Sequence, residues 1–203
     1  MLILGYGGHG RVVGDAAAEC GYDKIGFLDD RADIQGQDEI LGPFSCVNDL
    51  VGLWSEAIAA VGDGRLRLKL FGDLERAGFS TPNIIHPSAV LSRQARLGRG
   101  IFVAAGVVIN TGATIGNAAI INTGACIDHD CRIGDGAHIA PGASLSGNVH
   151  VGERSWIGTG SSVRQSVTIV DDVVVGVGSA VVSDLTVPGT YIGVPARLMT
   201  KPS

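Results

Sequence analysis

What this sequence lacks narrows its function before any motif is read. It carries no excess of basic charge: 15 Lys and Arg stand against 20 Asp and Glu, a net charge of -5 with an isoelectric point near 5.4. A nucleic-acid partner would require a basic groove, so that class is set aside. The four cysteines (Cys20, Cys46, Cys126, Cys131) have neither C-x-x-C spacing nor the density of a secreted scaffold. They read as free thiols in a reducing compartment. No apolar run reaches membrane-spanning length, and no basic-then-apolar leader precedes the first strand, so a soluble, cytoplasmic protein is expected. Close multi-ligand spacing is missing too, and no metal site is expected. A G-x-S-x-G nucleophile is absent: Gly158-Thr159-Gly160-Ser161 is turn sequence whose serine points inward.

What the sequence has is a beat of six. From Ile85, every sixth residue is aliphatic: Leu91, Leu97, Val103, Ile109, Ile115, Ile121, Ile127, Ile133, Ile139, Leu145, Val151, Ile157, Val163, Ile169, Val175, Val181 and Val187. Two positions before most of these stands a small residue, such as Ala113, Ala125, Cys131, Ala143 or Ser161. This is the hexapeptide repeat of a parallel β-helix. Three hexads make a triangular coil, and coils stack at roughly 4.8 Å, which places residues eighteen apart above one another. The aliphatic residue and its small neighbour fill the prism. The period does not set the hand of the helix.

Ahead of the repeat lies a smaller α/β part. The run Met1–Leu4 enters Gly5-Tyr6-Gly7-Gly8-His9-Gly10, a helix is expected over 11–20 with Val12, Val13, Ala16 and Ala17 on one face, and the strand Ile25–Leu28 ends at Asp29-Asp30. A glycine loop that opens a helix lets backbone approach a phosphate, and the helix N-terminus favours its charge. The two carboxylates suit a ribose or a base. The alternative is a glycine turn that only packs helix against strand. Too few residues follow for both halves of a dinucleotide fold, so a mononucleotide is favoured. Residues 31–45 read as an irregular loop, 47–54 as a short helix with Asn48 as its cap, and 56–61 as a strand running into Gly62-Asp63-Gly64. A helix over 65–77 presents Leu66, Leu70 and Leu74 and stops at Gly78. The chain divides near Thr81 into a Rossmann-like domain, 1–81, and a β-helix with its C-terminal cap, 82–203.

The outward positions form columns. Arg96, Thr114, Arg132, His150, Thr168 and Thr186 make a polar one, assigned to solvent. Phe102, Ile120, His138, Trp156 and Val174 make an apolar one, which needs a cover, most simply another subunit or a ligand. Self-association is inferred, and a three-sided prism favours a trimer. His138 in that column suits an interface histidine with one hydrogen bond. His129 lies between Asp128 and Asp130, with Thr111 below and Gly147 above, which leaves room for a substrate. A carboxylate on one imidazole nitrogen makes the other a general base; Asp-His-Asp is also ordinary turn composition.

With these residues in view, the whole chain resembles the hexapeptide-repeat nucleotide-sugar and sialic-acid acetyltransferases, above all the UDP-4-amino-sugar N-acetyltransferases of the bacillosamine pathway. The glycine loop, Phe27-Leu28-Asp29-Asp30, Ile121-Asn122-Thr123, Ile127-Asp128-His129-Asp130-Cys131, His138, Gly147-Asn148 and Gly193-Val194-Pro195-Ala196 carry the resemblance. It implies a left-handed β-helix, a homotrimer with sites between subunits, and acetyl-CoA as donor. By position, it makes His129 the base and Asp130 its partner, places Asn122 in the acceptor site, and sets His138, Gly147 and Thr159 along the acetyl-CoA cleft. Gly7, Gly8, His9, Asp29, Asp30 and Gly62 are expected to hold the UDP-sugar. The nearest rival is O-acetylation of sialic acid or another sugar hydroxyl.

Overall fold

The computed structural model describes residues 1–31 and 40–199; most of the loop expected at 31–45 thus lies outside the described residues. Four short parallel strands, β1 (Leu2–Leu4), β2 (Gly26–Leu28), β3 (Ile40–Gly42) and β4 (Ala57–Ala59), form a sheet in the order β3-β2-β1-β4. Side chains alternate along each strand. Leu2 and Leu4 face helix α2 (Gly64–Ala77), while Ile3 faces helix α1 (Gly8–Glu19). The segment Ile40–Gly42, read from sequence as loop, gains strand geometry by pairing with β2 at the sheet edge.

Both helices differ in detail from the sequence reading. Helix α1 starts within the glycine loop, at Gly8, and its buried face is Gly10, Val13, Gly14, Ala16 and Ala17; Val12 points outward. Gly14 lets the helix lie against Phe27, whose ring a Cβ would meet at 2.8 Å. Asp63 caps α2 by accepting the Leu66 N–H at 2.7 Å, and Gly78, at φ 94°, closes it. The buried stripe of α2 is Arg67, Leu70, Phe71 and Leu74, one step round from the expected Leu66, which is 38% exposed. The short helix is a 3-10 turn over Phe44–Leu50 that begins after Pro43, so Asn48 sits inside it and caps nothing.

From Ile84 onward the chain winds as a three-sided, left-handed parallel β-helix. Each side consists of two-residue strands stacked in register across coils, as in Ile120↔His138 and His138↔Trp156. The first face carries Phe102, Ile120, His138, Trp156 and Val174. The second carries Val90, Val108, Cys126, Ser144, Ser162 and Ala180. The third carries Arg96, Thr114, Arg132, His150 and Thr168. Corners demand a left-handed residue. Between the first and second faces Gly106, Gly124, Gly142, Gly160 and Gly178 supply it at φ 64–69°, and elsewhere Ala118, Asp130, Asn148 or Arg154 adopt it. Inside, Ala113, Ala125, Cys131, Ala137 and Ala143 are fully buried. The buried Ser155 and Ser161 satisfy their hydroxyls on the carbonyls of Val170 and Gly176, both at 2.8 Å.

The beat holds until its last stop. Asp184 Oδ1 takes the Thr168 N–H at 2.8 Å, and the Val170 N–H moves to the Leu185 carbonyl. Leu185 therefore fills the prism, and Val187 is 52% exposed. The strand Gly189–Ile192 then ends the first face, backed by an antiparallel pairing with Arg197–Leu198.

The lower coils of the apolar first face are covered by the chain's own N-terminal part, where a subunit or ligand is expected from sequence. Phe102 and Ile120 are buried, with the His9 ring edge-on to Phe102 at 5.4 Å. One apolar cluster runs from Ile3, Val13 and Phe27 into Ile84, Ile101 and the prism. Trp156 and Val174, two and three coils above Ile120, stay open.

Candidate active site

The corner after Ile127 builds the His129 constellation. Asp128 Oδ1 accepts the His129 N–H at 2.8 Å and the Asn110 amide at 3.0 Å, tying the turn to the coil below. Asp130 adopts φ 60°, a conformation Asp tolerates, and this aims its carboxylate at the imidazole. The contact is 2.9 Å, from His129 Nδ1 to Asp130 Oδ2. Nδ1 is therefore the protonated nitrogen, and Nε2 carries the free lone pair. The hydrogen bond to Asp130, with the charge of Asp128, raises the His129 pKa above its ordinary value. Gly147 serves a purpose different from the one expected. A Cβ there would overlap the His129 ring, so the missing side chain makes room for the imidazole rather than for a substrate.

A second cluster gathers between the N-terminal part and the first face. Asn122 Oδ1 accepts the Thr123 N–H at 2.8 Å, which orients its amide nitrogen toward His138 Nε2 at 3.1 Å. His138 Nε2 is thus an acceptor, and its proton sits on Nδ1. The Trp156 ring stacks on His138 with centroids 5.4 Å apart and planes 2° off parallel; the His9 ring lies 6.3 Å from His138, tilted by 38°. Burial, then the charge of Arg67, lowers His138 to about 3 and His9 to about 4, so both rings are neutral at physiological pH. His9 Nε2 is buried without a hydrogen bond.

The glycine loop divides its labour. Gly5 and Gly10 are required by packing, since a Cβ on either would run into neighbouring backbone. A Cβ on Gly7, Gly8 or Gly62 would meet nothing within 4 Å, so these three leave open backbone at the carboxyl edge of the sheet. Asp29 is engaged by the Tyr6 N–H at 2.7 Å and by Arg31 through backbone and guanidinium, hydrogen bonds that outweigh its burial and keep its pKa low. Asp30 Oδ1 accepts the Phe44 N–H at 2.7 Å, and the residue lines a pocket of about 520 Å³ with Phe44, Asn48, Lys69 and Asp73.

The structure sorts the expected residues into two groups on opposite edges of the second face. His129, Asp130 and Gly147 occupy one corner; Asn122 and Thr159 occupy the other, with His138, His9 and the glycine loop behind them. The third face, assigned to solvent, is the floor of a groove of about 1360 Å³ that starts at Asp130 and Asn148 and runs past Arg96, Arg132 and His150. Cys131 is buried, its thiol bonded to the Ser146 carbonyl and its pKa pushed up by burial, which suits a spectator. Sequence reasoning missed two contributors. Asn110 is signalled only by lying eighteen residues before Asp128. Arg67 has no sequence signal, because it looks like the polar side of a helix. Among the described residues there is no group of three or more His, Cys, Asp or Glu able to hold a metal, and no helix long and apolar enough to cross a membrane.

Comparison with known proteins agrees with this geometry. Residues 1–74 match the model of the PglD N-terminal domain, and residues 112–147 match the bacterial transferase hexapeptide model of six repeats. PerB from Caulobacter crescentus, solved in complex with CoA and GDP-perosamine, is 43% identical over 98% of this chain and 96% of its own, with a TM-score of 0.93. The acetyltransferase domain of PglB from Neisseria gonorrhoeae, solved with acetyl coenzyme A, is 39% identical over 98% of both chains, with a TM-score of 0.91. A histidine-to-alanine variant of the Caulobacter enzyme, described as a GDP-perosamine N-acetyltransferase, also matches, at 42% identity. Fold and repeat together define a hexapeptide-repeat acyltransferase. Within that class the chain belongs to the sugar N-acetyltransferases of the bacillosamine and perosamine type.

Proposed function

We propose that this chain transfers the acetyl group of acetyl-CoA to the 4-amino group of a nucleotide-linked amino-deoxy sugar, with His129 as general base. The observation that carries this reading is the His129–Asp130 pair at 2.9 Å, with Nε2 free on an open corner. The amine attacks the thioester carbonyl as Nε2 takes its proton. The C–N bond forms, the C–S bond breaks, and coenzyme A leaves as its thiol. A backbone amide beside Gly147 stabilises the oxyanion. No acyl-enzyme is involved, since the nearby thiol of Cys131 is buried and protonated. The nucleotide phosphates lie on the open backbone of Gly7 and Gly8 at the start of α1. Asp30 reads the ribose or base, while Asp29 acts through the loop it fixes.

The working protein is a homotrimer. His129 and the His138–Asn122 cluster flank the second face, whose outward residues Cys126, Ser144, Ser162 and Ala180 are small. Three prisms that set these faces about one axis bring the His129 corner of each against the Asn122 corner of the next. Acetyl-CoA then runs along that seam past His138, Gly147 and Thr159.

UDP is the nucleotide implied by the sequence resemblance. GDP is the second reading, favoured by the 43%-identical PerB with its bound GDP-perosamine. Thiol release from acetyl-CoA, measured with UDP- and GDP-linked 4-amino-sugars and with free sialic acid, separates these readings. Turnover with a nucleotide-linked amino-sugar, and its near-total loss in His129→Ala with the oligomer intact, is expected. Turnover with sialic acid alone replaces N-acetylation by O-acetylation, and wild-type rates in His129→Ala remove the base.

A further inference from the structure

Arg67 is the largest fully buried side chain among the described residues, and it is a cation. It sits in the first turn of α2, where a positive charge opposes the helix dipole, and no carboxylate bonds to it among the described residues. Both features cost stability, so the site must return something specific. Its guanidinium is spent on backbone carbonyls from both parts of the chain. Nη1 donates to Val61 and Gly62 at 2.8 and 2.9 Å, in the turn at the open edge of the sheet. Nε donates to Ala118 at 2.7 Å, and Nη2 to Gly136 at 2.6 Å and Ala137 at 3.4 Å, on two successive coils of the β-helix. Ala137 is the residue before His138. A planar fork can hold carbonyls in several directions at once, which an ammonium on a flexible stem cannot do with the same geometry.

We propose that Arg67 is a positioning residue that clamps the Gly62 turn to the coil bearing His138, fixing the cleft in which the nucleotide-sugar meets the acetyl donor. The proposal rests on the function proposed above. The packing around the clamp supports it: Gly64 lies so close that a Cβ would come within 2.7 Å of the Gly136 carbonyl, and Leu68 covers Gly136. The charge has a second consequence. From α2, Arg67 faces His138 and His9; from α1, His9 faces His138; Asp63 acts on Arg67, and the remaining neighbours Trp156, Asn122 and Phe102 are uncharged. Arg67 itself, lowered to about 10 by burial, stays charged at neutral pH and disfavours protonation of both rings.

The test uses Arg67→Met, which keeps bulk and removes every donor, and Arg67→Lys, which keeps the charge but not the fork. Oligomer size and circular dichroism establish folding. In folded Arg67→Met, the KM for the nucleotide-amino-sugar rises roughly tenfold or more while CoA affinity is unchanged. The His138 titration, followed by its imidazole NMR signals, moves up toward the ordinary histidine range, and Arg67→Lys restores part of the KM. Wild-type KM with an unmoved His138 titration overturns the clamp. So does failure of both variants to fold, which assigns Arg67 to stability alone. A wild-type protein that acetylates no nucleotide-sugar sinks the functional reading instead, and the imidazole titration, which needs no substrate, still decides the clamp.

Discussion

At the scale of single residues, the chemistry depends on which nitrogen of each histidine carries the proton. His129 is exposed and bonded to Asp130, whereas His138 and His9 are half-buried near a guanidinium. The first has its pKa raised and the other two have theirs lowered, so of these three His129 is the one whose protonation shifts toward higher pH. As the proposed base, His129 must be neutral to act. Turnover therefore falls on the acid side at a pH above that of an ordinary histidine. Asp130→Asn keeps the shape and removes the charge, so the acid limb of kcat/KM moves to lower pH while the plateau drops. A pH–rate profile that keeps the wild-type limb in this variant would show that Asp130 does not tune the base. His129 with its acidic neighbours was legible in the sequence, since three adjacent residues define it. The role of Gly147 was only half legible: the column placed it over His129, but whether the empty space holds substrate or imidazole depends on the rotamer that Asp130 imposes.

At the scale of elements, the domain contact is where burial and charge meet. Two neutral histidines held between α1, α2 and the first face bind no protons in the native state over a range where the unfolded chain does. With pKa values of about 4 for His9 and about 3 for His138, stability is full above the unfolded value near 6.5 and declines as pH falls below it. The loss is up to about 1.4 kcal/mol per group per pH unit, an upper figure that solvent access reduces. Urea midpoints measured between pH 7 and pH 5 are expected to fall accordingly, and His9→Phe to flatten the decline. A midpoint insensitive to pH over that interval would mean that these rings stay hydrated. None of this follows from helix periodicity. The stripe Leu66, Leu70, Leu74 is a sound amphipathic pattern, yet the real stripe takes Arg67 because the carbonyls of Ala118, Gly136 and Ala137 across the contact, and those of Val61 and Gly62 on its own side, accept from it.

At the scale of the whole molecule, the His129 corner and the His138–Asn122 cluster stand on opposite edges of one prism face, and the proposed trimer is what would bring them together. His129→Ala and His138→Ala, each inactive alone, are expected to complement when unfolded and refolded together, because some seams then combine an intact His129 corner with an intact His138 corner. Random mixing gives about a quarter of wild-type activity for a site shared between subunits in a closed ring. No recovery would place both histidines in one protomer's site. The β-helix itself was determined by the sequence alone: an aliphatic residue every sixth position with a small partner admits one stacking, and corner glycines set its turns. The α/β character of the N-terminal part was legible as well, from a glycine loop between two apolar runs. Only the tertiary structure decided what covers the apolar first face, where the repeat yields to Leu185, and how a buried arginine joins the two parts. Local periodicity reports which side of an element faces inward; the partner it meets there is fixed by contacts between residues far apart in the chain.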